Sequence, residues 1–351
     1  MMLFRSLVSA RSFLGNRNIK THLQWRKIKI NTMCRPMRCT FTLNTQCLTV
    51  GESIKQWARR FKEQSIPEPV ESIEHIIAHV IGTKKIIDLL NVYDQQLTSN
   101  QCSKLELLCE CRLSRMPVQY IIGEWDFRNI NLKLTPPIFI PRPETELLVD
   151  FVLKRLDSSK GKEHKIIEVG CGSGAISLAT AHTNKTVKCI AIDTNQQACE
   201  LTEQNRDRLG LGDQVTVIHA TLKDNGRIEP SDMLNGVETF DLNSRSFDFI
   251  VSNPPYISTK QIFTLTPEIK IYEDITALDG GEDGLKIIKP LLKYAAAALK
   301  PGGRLFLEVD STHPEYIIFF TKKYSDLKLQ YEHTHKDFSN MNRFVEILKI
   351  S

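Results

Sequence analysis

Lys165-Ile166-Ile167-Glu168-Val169-Gly170-Cys171-Gly172-Ser173-Gly174 decides the fold. The apolar stretch up to Val169 reads as a buried strand, and residues 175–183 read as a helix. Between them, glycines at alternate positions let the backbone turn sharply and approach a ligand with no Cβ in the way. Outward from that stretch, further strands are predicted at Val187–Ile192, Gln214–His219, Phe247–Ser252, Gly303–Val309 and Phe344–Leu348, with helices over 195–209 and 284–299. Strands alternating with helices predict an α/β domain over 141–351, a parallel sheet with helices on both faces. Pro143, followed by Glu144 and Glu146, marks a helix start with acids at the positive end of the dipole. Polar residues 224–246 read as a surface loop before the fourth strand.

Upstream the period changes. Ile73, Ile76, Ile77 and Val80 recur at helical spacing, as do Ile86, Leu89 and Leu90, so 51–118 is predicted to be a small all-helical domain. Alternation in Ile130-Asn131-Leu132-Lys133-Leu134 predicts a β-hairpin linker over 119–140. At 351 residues and 41% hydrophobic, the chain has room for one large domain and a smaller one. No apolar run is long enough for a membrane span.

The net charge of +5 is unevenly spread. Arg5, Arg11, Arg17, Lys20, Arg26, Lys27, Lys29, Arg35 and Arg38 all precede Glu52, the first acidic residue. That leaves 37 of the 46 basic residues against 41 acidic ones over 52–351, a net −4. An acid-free, Arg-rich opening with Ser6, Ser9 and Ser12 among apolar residues fits a mitochondrial transit peptide over 1–50, and hence the mitochondrial matrix. The alternative is a basic tail that binds nucleic acid non-specifically. The nine cysteines form no Cys-x-x-Cys pair and no zinc-ligand spacing. Reduced thiols are expected, with neither disulfide nor metal.

The loop Gly170, Gly172, Gly174 is spaced G-x-G-x-G, not the G-x-G-x-x-G of dinucleotide binders. S-adenosylmethionine has no pyrophosphate to seat on a helix, only a methionine tail and a nucleoside that must pass close to backbone. Asp193 ends the second strand 19 residues beyond Gly174, about where an acid accepts ribose hydroxyls. It could instead cap a helix that starts at Thr194-Asn195. Beyond the strand Phe247–Ser252 stands Asn253-Pro254-Pro255-Tyr256, at the carboxyl end where open α/β sheets bind ligands. An amide nitrogen is a poor nucleophile because its lone pair is delocalised; the same resonance underlies a rotation barrier of about 18–20 kcal/mol. A site that accepts hydrogen bonds from both N–H groups holds that nitrogen in line and favours pyramidalisation. The Asn253 side-chain oxygen and the Pro254 carbonyl can do this, on a loop that two prolines fix. Tyr256 offers a flat face to a planar amide or base.

These residues resemble the HemK/PrmC family, which methylates the glutamine of the Gly-Gly-Gln motif in class 1 peptide-chain release factors. The resemblance spans nearly all of 52–350. It includes Arg115-Met116-Pro117-Val118-Gln119-Tyr120-Ile121-Ile122-Gly123, Ile140-Pro141-Arg142-Pro143-Glu144-Thr145-Glu146 and Ala277-Leu278-Asp279-Gly280-Gly281-Glu282-Asp283-Gly284-Leu285. The second of these segments separates the family from DNA methyltransferases that share Asn-Pro-Pro-Tyr.

The resemblance implies a Rossmann-like, seven-stranded class I methyltransferase domain with S-adenosylmethionine as cofactor. It implies a catalytic set of Asn253, Pro254, Pro255 and Tyr256. It places Glu168, Gly170, Cys171, Gly172, Ser173, Gly174, Asp193, Leu222 and Asn253 at the cofactor. Leu222 stands where bacterial members place an aromatic beside the adenine, and Tyr272-Glu273-Asp274 stands where the family usually has Glu-Pro after a Tyr. With the opening residues, the resemblance points to the mitochondrial member and a mitochondrial class 1 release factor as partner. A monomer is expected, with no stable nucleic-acid binding.

One rival reading is an adenine-N6 DNA methyltransferase, since an exocyclic amine poses the same problem. Such enzymes neutralise phosphates with Lys and Arg, and a body at −4 has no evident excess. A cofactor-binding scaffold that has lost catalysis is a second; an intact Asn-Pro-Pro-Tyr argues against it. Arg142 with Glu144 and Glu146 reads as a helix start and salt bridge rather than a cofactor contact. His333 and His335 read as solvated strand histidines, and Trp57 as core. No general base of the His or Glu type is expected.

Overall fold

Thr49 opens the first helix by a reciprocal cap: its hydroxyl accepts from the Glu52 N–H (3.2 Å) while the Glu52 carboxylate accepts from the Thr49 N–H (2.9 Å). In this computed structural model, which describes residues 48–83, 85–157, 161–231, 242–244 and 247–351, that helix is α1 (Val50–Glu63). α2 (Pro69–Ile81), a 3₁₀ segment (Ile86–Val92), α3 (Ser99–Leu113) and α4 (Val118–Ile122) complete a helical unit. Ile73, Ile76 and Ile77 face its core with Phe61 and Leu105, while Leu90 is exposed, because the second apolar cluster folds as 3₁₀ turns. Val50 is buried in this unit, two residues upstream of Glu52, so the unit takes in residues expected to belong to the leader. The rest of the stretch expected to be a leader, 1–47, lies outside the described residues.

A hairpin follows, β1 (Glu124–Phe127) against β2 (Ile130–Lys133). Then come α5 (Thr145–Asp157), β3 (His164–Val169), α6 (Ala175–Thr183), β4 (Val187–Asp193), α7 (Gln196–Arg208) and β5 (Val215–Leu222). After them lie β6 (Ile228–Pro230), β7 (Phe247–Ser252), α8 (Thr259–Ile262), α9 (Pro267–Tyr272), α10 (Ile288–Ala298), β8 (Leu299–Glu308), α11 (His313–Lys323), β9 (Leu329–Lys336) and β10 (Asn342–Lys349). The strands form one sheet in the order β6-β5-β4-β3-β7-β8-β10-β9. Period-2 alternation splits its side chains between two cores: Ile166, Phe249 and Phe306 pack under α5 and α6, while Ile167, Ile250 and Leu305 pack under α10 and α11.

Four expectations need correcting. The sheet is mixed rather than parallel, since β10 runs antiparallel to β8 and β9, and β6 antiparallel to β5. Among the described residues the seven expected strands are joined by an eighth at the edge, because three residues of the polar stretch 224–246 pair as β6 with Ala220–Leu222. That pairing places Ile228 in the core; residues 232–241, 245 and 246 of the same stretch lie outside the described residues. Helix α5 starts at Thr145 and not Pro143, after a tight turn in which the Thr145 N–H donates to the Arg142 carbonyl at 3.1 Å. Helix α10 starts at Ile288, because Gly284 sits at φ +72° against the Tyr256 carbonyl and cannot begin a right-handed turn.

Candidate active site

The carboxyl ends of β3, β4 and β7 open on a cavity of about 480 Å³, within the range of small-molecule sites. One wall is backbone. Gly170 (φ +82°) and Gly172 (φ +56°) are left-handed, a conformation costly to any residue with a Cβ. The N–H groups of Gly170 and Cys171 both donate to the Ile192 carbonyl, at 2.9 and 3.0 Å, which closes the turn over β4. Asp193 locks it from the other side, accepting from the Gly172 N–H at 2.9 Å and the Asn195 N–H at 2.8 Å. The helix cap is Asn195, whose side chain accepts from the Gln197 N–H, so Asp193 is not spent on capping. Burial raises the Asp193 carboxyl above its usual range, against its backbone donors. Its two oxygens keep lone pairs for further donors, such as a pair of ribose hydroxyls.

Of the residues expected at the cofactor, Glu168, Gly170, Cys171, Gly172, Ser173, Asp193, Leu222 and Asn253 line this one cavity. Gly174 does not. A Cβ there would meet Leu178 and Thr202 at 2.7 and 2.8 Å, so its glycine serves the seating of α6. Glu168 reaches the wall, but its carboxylate accepts both the backbone N–H and the hydroxyl of Ser177. Burial pushes it up to about 8 despite those donors.

The facing wall is made of side chains. Asn253, Pro254, Pro255 and Tyr256 leave β7 together, and the Ser252 hydroxyl donates to the Val169 carbonyl at 2.6 Å, tying this loop to the glycine turn. The Asn253 Nδ2 donates to Thr145 Oγ1 (3.2 Å), which donates to Glu308 Oε2 (2.8 Å); the Tyr256 hydroxyl donates to Glu308 Oε1 (3.1 Å). Burial, and then the neighbouring Glu308, push the Tyr256 phenol up, so it stays protonated. The segment 277–285 buttresses the loop, where Gly280 passes so near that a Cβ would meet the Pro255 carbonyl at 2.8 Å.

Several side chains here were missed in the sequence. Thr145 carried no motif role of its own, and Glu308 looked like the end of a strand. Asp274 lines the cavity and accepts from Asn195 Nδ2 at 3.0 Å. Arg142 also lines it, but its ion pair is with Glu273 at 2.6 Å rather than Glu144 or Glu146, whereas Glu146 accepts from the Arg128 N–H. Nothing in local spacing signals a partner 131 residues away. His335 stacks on Phe151 at 4.0 Å and meets Glu346 at 3.2 Å, so it is a packed residue and not a solvated one. Trp57 packs half-buried on the helical core. None of the six described cysteines is in a disulfide.

Comparison with known proteins identifies the family. The PrmC N-terminal domain model matches residues 52–123, and the methyltransferase small domain model matches 144–270. The human MTRF1L release factor glutamine methyltransferase is 42% identical over 303 residues, which cover 84% of this chain and 86% of that protein. The release factor glutamine methyltransferase of Caulobacter vibrioides is 33% identical over 259 residues, 73% of this chain and 83% of that one. That of Thermodesulfovibrio yellowstonii is 33% identical over 240 residues, covering 68% and 79%. With its two domain matches in order and its glycine turn and Asn-Pro-Pro-Tyr loop on one cavity, the chain belongs to the release factor glutamine methyltransferase family.

Proposed function

We propose that this enzyme methylates the side-chain nitrogen of the glutamine in the Gly-Gly-Gln motif of a mitochondrial class 1 release factor, with S-adenosylmethionine as donor. The observation that carries the reading is the carboxamide of Asn253, engaged at Nδ2 by Thr145 and thus presenting its oxygen elsewhere, beside the glycine turn. The residues fit the cofactor. Gly170 and Gly172 border open space, with no heavy atom within 4 Å of where a Cβ would stand, and Asp193 has acceptor capacity to spare. Apolar Ile138, Ala198, Ala220 and Leu222 supply flanking surface for a nucleoside.

S-adenosylmethionine bound there supplies the electrophilic methyl group. The chain's own residues orient the acceptor. Asn253 Oδ1 and the Pro254 carbonyl accept the two amide N–H bonds and stabilise charge as it develops on nitrogen. Tyr256 packs against the planar amide. Orientation of this kind can contribute about 7–11 kcal/mol. The methylated nitrogen is far more acidic than the amide was, so loss of its proton needs no dedicated base.

The helical unit is well placed to recognise the factor. Arg112 and Arg115 pair with Glu268 (3.3 and 3.4 Å), and Tyr272 donates to the Ser114 carbonyl at 2.8 Å. These contacts fix the unit beside α9, whose Ile269 lines the cavity. The acid-free opening of the chain supports the mitochondrial matrix as its location, and the body's net −4 favours a protein over DNA.

The full chain, methyl-labelled S-adenosylmethionine and either a class 1 release factor or duplex DNA form the test, each beside Asn253→Ala. Label is expected on the factor, mapped by mass spectrometry to that glutamine and lost with Asn253→Ala. Label on DNA instead overturns the substrate while leaving the chemistry.

A further inference from the structure

We propose that Thr145 and Glu308 are positioning residues that set which way the Asn253 carboxamide faces, so that the site admits an amide and rejects a carboxylate. The inference rests on the glutamine reading above. It starts from Glu308, the last residue of β8, only 2% exposed, on the strand paired with β7 in a register that sets Ser252 opposite Leu307. Its two carboxylate oxygens each accept one hydroxyl, Thr145 at 2.8 Å and Tyr256 at 3.1 Å.

A threonine hydroxyl has one proton. Because Thr145 gives that proton to Glu308, it can only accept from Asn253. The group at 3.2 Å must therefore be the NH₂ end of the carboxamide, and Oδ1 faces away from Thr145. Burial raises the Glu308 carboxyl, while both hydroxyl donors favour its charged, acceptor-only form. The buried carboxylate thus dictates, through one hydroxyl, that an acceptor is presented to the substrate. A glutamine side chain brings two N–H donors to that acceptor and to the Pro254 carbonyl. A glutamate side chain brings only lone pairs and is repelled, and a site that needs a donor discriminates steeply against a ligand that lacks one.

Thr145→Val keeps the shape and removes the acceptor. Glu308→Gln is the second variant, because its NH₂ can donate to Thr145, freeing the threonine proton for Asn253 and inverting the carboxamide. Each is assayed as the full chain with a class 1 release factor, and with the factor whose acceptor glutamine is replaced by glutamate as competitor. Both variants are expected to lower kcat about 10–100-fold, the usual scale for losing the partner that orients a functional group. S-adenosylmethionine affinity by calorimetry stays within about twofold, because this relay does not touch the glycine wall. The glutamate factor should inhibit both variants more strongly than wild type, an effect that simple loosening of the fold would not produce. Thr145→Ser restores kcat to within a few-fold of wild type.

Variants that turn over like wild type overturn the inference, as do variants that lose kcat yet exclude the glutamate factor as well as wild type does. In either case a wild type that labels the factor leaves the glutamine reading standing. A wild type that leaves the factor unlabelled overturns that reading and the inference together.

Discussion

The two walls of the cavity are built on different plans. The wall over β3 and β4 is made of backbone and of residues close in sequence: Glu168 to Ser173 with Ala175, then Asp193 to Asn195. Its shape is set by left-handed glycines and by N–H groups that donate to Ile192 and Asp193. The wall over β7 is made of side chains collected from across the chain: Arg142 and Thr145 from the entry to α5, Asn253 to Tyr256, and Asp274, backed by Glu273 and Glu308 as partners of Arg142, Thr145 and Tyr256. The first wall is fixed by conformational preference and the second by a network of buried polar partners. Such a network is worth most when every member is satisfied, and it fails sharply when one is removed.

If that contrast holds, the side-chain wall should be the fragile one. Arg112→Met tests its most distant support. Arg112 is buried and pairs with Glu268 on α9, so its loss leaves a carboxylate only 10% exposed without its main partner. Breaking such a pair costs about 3–5 kcal/mol, and Arg115, still 3.4 Å away, should hold the loss near the lower figure. Denaturant unfolding reads it; an unchanged midpoint would mean that α9 is held some other way.

Asn253→Ala comes next. Removing one group preorganised for transition-state charge typically costs about 10²–10³ in kcat, some 2.7–4 kcal/mol. Calorimetry should find S-adenosylmethionine binding changed only a few-fold, because the backbone wall is intact. Equal losses in rate and in cofactor affinity would erase the distinction between the walls.

Gly172→Ala probes the backbone wall itself. A Cβ there meets no protein atom within 4 Å, so within the chain the cost is confined to the φ of +56°, while the Cβ itself stands in the space the cofactor would fill. A left-handed non-glycine residue costs about 1–2 kcal/mol. Cofactor affinity should therefore fall by about 5–30-fold, with kcat at saturating cofactor nearly unchanged. A collapse of kcat would show that this turn also positions the acceptor.

The smallest effect is on pH dependence. In the folded chain burial pushes Glu168 up to about 8, against an ordinary value of 4.5. Folding therefore favours its protonated form. Its contribution is fully present below about pH 4.5 and is lost as pH rises toward 8. Glu168→Gln keeps an acceptor for the Ser177 N–H and does not titrate. Between pH 6 and 8.5 its unfolding midpoint should fall less than that of wild type; parallel curves would contradict this.

The same contrast explains what could be read from the sequence. The glycine turn, Asp193 and Asn253-Pro254-Pro255-Tyr256 are contiguous signals whose chemistry is local, and they mark where the cavity lies. Core strands such as the one through Ile166–Val169 are legible because both faces are buried there, which leaves a mostly apolar run. β6 was not legible, since three residues in a polar stretch become a strand only by pairing with β5. Glu308 and Thr145 meet across 163 residues, and Arg142 and Glu273 across 131. No periodicity encodes such pairs. A buried Glu at a strand end was the available clue, since an acid in a core position needs partners. Gly174 went the other way: it belongs to the glycine motif by spacing, but it serves helix packing rather than the cavity.

The central claim is that Asn253 offers its oxygen to a substrate amide nitrogen beside the glycine turn. A crystal structure of the full chain with a non-transferring analogue of S-adenosylmethionine and a peptide bearing the Gly-Gly-Gln motif tests it most directly. The account predicts the glutamine nitrogen about 3 Å from Asn253 Oδ1, with Nδ2 still on Thr145. A glutamine seated elsewhere, or one whose carbonyl accepts from Asn253 Nδ2, would contradict it.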